Sequence, residues 1–109
     1  MAYDEGLAER LRELFSGRAD VIEKKMFGGL CFMVRGHMCC GILGDTLMAR
    51  VGAAAYAECL GYEYVKEMDF TGKPMNGMIY VKAEGIQEEP ELEAWVSKCL
   101  DFVISLPEK

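Results

Sequence analysis

The stretch VIEKKMFGGLCFMVRGHMCCGILGDTLMARV, Val21 to Val51, decides the architecture of this 109-residue chain. Val21, Glu23 and Lys25 alternate with Ile22, Lys24 and Met26, the two-residue period of a strand. Gly28-Gly29 interrupts the pattern as a sharp bend, and Leu30 to Val34 is an apolar run of strand length. Arg35-Gly36 reads as a tight turn, His37 to Leu43 as the return strand and Gly44-Asp45 as another turn. From Thr46 to Val51, Leu47, Ala49 and Val51 alternate with Met48 and Arg50. Strands joined by two-residue turns must be antiparallel neighbours, because a parallel pair needs a long crossover. The stretch is therefore a meander of about four strands.

Working outward, Asp4 to Ser16 places Leu7, Leu11, Leu14 and Phe15 on one helical stripe, with charged residues on the opposite face. Asp4 suits the N-cap, and Gly17 suits a left-handed position past the end. After the meander, Ala53 to Leu60 reads as a short helix closed by Gly61. Tyr62 to Phe70 is less regular and fits an edge strand. Gly72 to Gly77 is a hairpin loop, and Gly77 to Lys82 is the last clear strand. The closing helix is the strongest signal. Pro90 fits its first turn, Leu92, Trp95, Val96, Cys99, Leu100 and Val103 form its stripe, and Pro107 marks its stop. Neither amphipathic helix can bury its stripe alone, so both lie on the sheet. The expected fold is α+β, one domain over residues 1–109. An antiparallel sheet of the meander plus one or two later strands carries an N-terminal, a short middle and a long C-terminal helix.

Composition sets limits on function. Half of the residues are apolar (51%), too many for a disordered chain. No apolar run approaches the roughly 18 residues of a membrane span, and the charged start from Asp4 onward lacks a secretion signal core. The expected location is the cytoplasm. Net charge is −6, with the excess acid in the first 20 residues and beyond residue 82. A nucleic-acid binder draws most of its affinity from Lys and Arg, so this balance disfavours free-standing DNA binding.

Four stretches resemble the N-terminal domain of the TfoX/Sxy family: EKKMFGG (Glu23 to Gly29), GDTLMARVG (Gly44 to Gly52), DFTGKPMNGMIYV (Asp69 to Val81) and the closing helix with Leu92, Trp95 and Leu106-Pro107. They follow in order over nearly the whole chain. The resemblance implies an antiparallel sheet flanked by helices. Named members of the family are bacterial regulators of natural competence, acting on transcription, and they carry a second, C-terminal domain that has no counterpart in these residues. The resemblance supplies no catalytic residues.

Candidate sites follow from the residue types. Cysteines 31, 39, 40, 59 and 99 lack the spacing of a disulfide framework or a C-x-x-C motif, so buried structural thiols are their first reading. With Arg35-Gly36 as the turn, Val34 pairs with His37, Met33 with Met38, Phe32 with Cys39 and Cys31 with Cys40. Cys31 and Cys40 would then share a sheet face close to disulfide range, a candidate redox pair. A metal site is a weaker reading, since alternation sends His37 and Cys39 to the face opposite Cys40. His37, the lone histidine, is expected at a solvated turn without a catalytic partner. Gly28-Gly29 and Gly72-Lys73 lack the context of a nucleotide loop. No cofactor is expected. Lys25, Arg50 and Lys73 are a candidate interaction surface. Seven methionines, at positions 26, 33, 38, 48, 68, 75 and 78, cluster in the sheet region as core filling or as an adaptable contact surface.

The leading expectation is a non-enzymatic module with a protein partner, which leaves room for a homodimer through the sheet or the helix stripes. A nucleic-acid-associated regulator is the alternative, and a small-ligand domain or enzyme is the third.

Overall fold

The computed structural model describes residues 3–26, 28–68 and 77–107. Helix α1 spans Glu5–Leu14, and strands β1 (Val21–Met26), β2 (Gly29–Val34), β3 (His37–Leu43) and β4 (Thr46–Arg50) follow. Helix α2 (Ala53–Leu60), strands β5 (Val65–Glu67) and β6 (Met78–Val81), a 3₁₀ turn at Ala83–Gly85 and helix α3 (Glu89–Ile104) complete the order. The six strands form one antiparallel sheet in the order β1-β2-β3-β4-β6-β5. The expected four-strand meander is there, with two later strands added beyond β4. The Tyr62 to Phe70 region contributes β5, a three-residue edge strand. The hairpin loop read at Gly72 to Gly77, and Met75 within it, lie outside the described residues up to Gly77.

Local chemistry explains the elements. The Asp4 carboxylate accepts from the backbone N–H groups of Gly6 (2.8 Å) and Leu7 (3.2 Å), capping α1 as its sequence suggests. The end of α1 differs from expectation. Phe15 is the C-cap with φ −94°, and Gly17 does not take the left-handed conformation, so a hydrophobic ring rather than a glycine ends the helix. Buried Phe15 stacks on Phe32 of β2, with centroids 5.3 Å apart. The Arg35-Gly36 turn has positive φ at both residues (55° and 87°), the conformation of a two-residue hairpin. Helix α3 begins with Pro in its first turn, and the Glu91 carboxylate accepts from the Glu88 N–H at 3.1 Å.

All three helices lie on one face of the sheet. Leu7, Ala8 and Leu11 of α1, Cys59 of α2, and Leu92, Trp95, Val96, Cys99 and Val103 of α3 join Leu30, Phe32, Val34, Ile42, Leu47, Ala49, Ile79 and Val81 of the strands in one core. Each fully buried large side chain there contributes roughly 1.5–3 kcal/mol. Arg10 ties α1 to the start of α3, reaching the Glu89 carboxylate (2.5 Å) and the Ile86 carbonyl (2.7 Å). The other sheet face holds a second core, where buried Cys31, Met48, Met68, Met78 and Tyr80 are flanked by Met26, Met33 and Met38. Six of the seven methionines noted in the sequence thus line one face, and the unbranched side chains fill it. Gly41 makes that layer fit, because a Cβ there would sit 2.9 Å from the Met48 methyl and 3.1 Å from the Cys31 sulfur.

Candidate functional site

The hairpin register departs from a regular ladder at one point. Val34 pairs with His37 and Met33 with Met38, as expected, but then Phe32 faces Cys40 and Cys31 faces Gly41. Cys39 is the extra residue of a β-bulge. This corrects the expected Cys31–Cys40 pairing. The two thiols lie on opposite faces of the sheet, Cys31 among the methionines and Cys40 beneath the helices. The expected placement of Cys39 opposite Cys40 is corrected as well, because the bulge turns both side chains into the helix-covered core.

The bulge gathers a different set of thiols. Cys40 and, from α3, Cys99 share the helix-covered core with Cys39. All three are fully buried. These two thiols, with lesser help from the charges of Arg18 and Arg50, hold the Cys39 thiol well below its ordinary ionisation range against the opposing effect of burial. The same contacts, and then burial, push Cys40 and Cys99 upward. Burial alone raises Cys31, and it is the main cause of the rise at Cys59. All five cysteines are free thiols. Among the described residues, no three His, Cys, Asp or Glu side chains are arranged to hold a metal ion.

The candidate basic surface is dispersed. Lys25 stands on edge strand β1 and Arg50 on β4, with β2 and β3 between them, a lateral separation of roughly 14 Å at ordinary strand spacing. The Arg50 guanidinium donates to the Met38 carbonyl at 3.3 Å and lies 5.4 Å from the centre of the Phe102 ring on α3. Lys73 lies outside the described residues. His37 sits at its turn with Nε2 donating to the Pro107 carbonyl at 2.6 Å, so it fastens the segment after α3 to the sheet.

A surface feature that the sequence reading passed over lies between α3 and the turn before β5. Tyr62 and Tyr64 are 44% and 41% exposed, high for large aromatic side chains. The Tyr62 ring meets the buried Trp95 ring edge-on, centroids 5.3 Å apart, and the Lys98 ammonium lies 5.9 Å from the Tyr62 centroid. Tyr64 has φ +69°, a left-handed conformation costly for an aromatic residue. It is held there by its carbonyl, which accepts from the Lys82 N–H at 2.8 Å, and by its side chain packing against Gly85. These residues, with Glu63 and Glu91, line an open cleft of about 450 Å³. The aromatic spacing of Tyr62, Tyr64 and Trp95 was readable in principle, but nothing in the sequence marks the backbone twist that aims the tyrosines outward.

The architecture is that of an α+β domain with three helices on one face of a six-stranded antiparallel sheet. The chain belongs to the TfoX N-terminal domain family, whose model matches residues 13–103. No curated protein and no solved structure matches the chain. No helix among the described residues is long and apolar enough to cross a membrane.

Proposed function

We propose that the domain is a non-catalytic regulatory module that works through protein contacts, of the kind its family associates with competence regulators. The observation that carries this reading is the pair of outward-facing tyrosines at the cleft. Exposed aromatic rings on a fixed backbone bring large contact area at low entropic cost. The strain at Tyr64 would be removed by a glycine, so retaining tyrosine there is a cost that a contact surface explains. Acidic Glu63 and Glu91 on the rim favour a partner with basic or neutral contacts. The free edge of β1 is a poorer place for a partner, because Lys24 and Lys25 oppose strand addition.

The separation of Lys25 from Arg50 lends no support to a surface that tracks phosphates. Five unpaired cysteines suit a reducing, cytoplasmic setting. The test is genetic. Transcripts that change when the gene is deleted should return to normal with the wild-type gene. A Tyr62→Ser/Tyr64→Ser variant that still melts cooperatively should not restore them. Full restoration by that variant, or no transcript change on deletion, would contradict the proposal.

A further inference from the structure

Strand β1 is an edge of the sheet whose central residues, Ile22 to Lys25, are all exposed. Ile22 is 68% exposed, more than any other large hydrophobic side chain described. It pairs with Met33 of β2, which in turn pairs with Met38 of β3, so the methionine layer runs out to this edge. The Arg35 N–H donates to the Asp20 carbonyl at 3.1 Å, one step beyond the Val21–Val34 pair, and this fixes the hydrogen-bond phase of β1. Counting from Asp20, the even-numbered residues of β1 bond to β2. The N–H and C=O groups of Val21, Glu23 and Lys25 therefore point to the free edge.

Charge is unbalanced along the same strand. Arg12 holds both Glu9 and Glu23, one cation for two carboxylates. Lys24 and Lys25 have no ion-pair partner among the described residues.

We propose that two copies of the chain pair through β1, antiparallel about a twofold axis at Lys24, so that one sheet runs through both. An antiparallel contact of this symmetry has its axis normal to the sheet, and each face continues into the same face of the other copy. The axis must then pass through a residue, and Glu23 and Lys24 are the choices that keep most of β1 paired. About Glu23, that residue opposes its own copy, Ile22 opposes Lys24 and Val21 opposes Lys25. About Lys24, Glu23 of each copy opposes Lys25 of the other, and Ile22 opposes Met26. Facing opposite charges and facing apolar side chains stabilise a strand pair, while like charges oppose it. The Lys24 register has both favourable pairs in duplicate against one like-charge pair on the axis, whose long side chains reach solvent. Its backbone agrees, because Glu23 and Lys25 carry the free N–H and C=O groups and exchange hydrogen bonds across the axis. Lysines turn away an unrelated strand, but against a second β1 Lys25 supplies the cation that Glu9 and Glu23 lack. Strand β5 forms the opposite edge of the sheet, so the tyrosine cleft before it stays open in the dimer. Either proposal can fail without the other.

Sedimentation of the wild-type chain at rising concentration is the test. It should pass reversibly from monomer to dimer and no further, because an isologous contact closes on itself. Lys25→Glu, at an exposed position, should weaken the dimer at least about tenfold, since two attractive pairs become repulsive. Lys66→Glu, the same change of charge on exposed β5, should leave the dimer as it is. A mixture of Ile22→Cys and Met26→Cys chains should form a disulfide-linked dimer in air, and neither chain alone should. The native cysteines do not compete, since all five are buried. A wild type that stays monomeric at every concentration, or that assembles beyond a dimer, would overturn the proposal. So would equal effects of Lys25→Glu and Lys66→Glu, or linkage by either cysteine chain alone. The wild-type measurement decides the matter even where a variant fails to fold.

Discussion

Cys39 and Cys40 are consecutive on β3, yet both side chains enter the core beneath α3. On a regular strand one would face the helices and the other the methionine layer. The bulge suspends that alternation for one residue, and Cys99 from α3 lies in the same core.

The ionisation of this group gives the first prediction. Cys39 loses its proton more readily in the folded chain than in the unfolded one, where a free thiol titrates at about 8.5. The stability it contributes is therefore fully present above the unfolded value and is lost as pH falls through the folded one. Cys40 and Cys99 are raised, so they act in the opposite sense at alkaline pH. The melting-temperature difference between wild type and Cys39→Ser should grow from acidic to neutral pH and shrink again in base. Thiolate absorbance should show a step on the acid side that Cys39→Ser lacks.

Gly29 carries the second. A Cβ at this position would lie 1.9 Å from the carbonyl oxygen of Ile42, a backbone atom of β3 that cannot swing aside. Gly29→Ala should therefore force β2 and β3 apart and cost roughly 2–4 kcal/mol. Gly17→Ala, with open space around it, should change stability little. Chemical denaturation of the two variants makes the comparison.

Tyr64 separates strain from packing. Tyr64→Ala loses the ring contact with Gly85 and keeps the left-handed backbone, whereas Tyr64→Gly loses the ring and relieves the backbone. The glycine variant should be the more stable of the two by about 1 kcal/mol. Equal stabilities would show that the φ of +69° carries no cost.

Tyr56 offers a gain. Its hydroxyl oxygen is buried without a hydrogen-bond partner among the described residues, and burial raises its pKa first, with the Glu67 charge adding to the effect. Removing a buried hydroxyl that has no partner relieves its desolvation, so Tyr56→Phe should raise the melting temperature of the domain. A thermal melt reads the change.

Much of this fold is legible in the residues. The stripes of α1 and α3, the two-residue turn at Arg35-Gly36 and the four-strand meander follow from periodicity and glycine placement. The bulge does not, because a bulge need not carry a glycine and this one falls on two small apolar cysteines that fit either face. That single residue shift parts Cys31 from Cys40 across the sheet and brings Cys39 to the side of Cys40. The His37 contact with Pro107 joins residues far apart in the chain, and no local pattern encodes it. The outward tyrosines depend on one strained residue, Tyr64, whose conformation is imposed by the Lys82 hydrogen bond and the packing at Gly85.

The reading of the domain as a contact module rests on the cleft beside α3, and cross-linking inside the native cell tests it most directly. A photoreactive residue placed at position 64 should yield one discrete protein adduct that disappears when Tyr62→Ser is added. The same probe at Glu13, exposed on α1, should yield none. A smear common to both positions, or no adduct at position 64, would contradict the account.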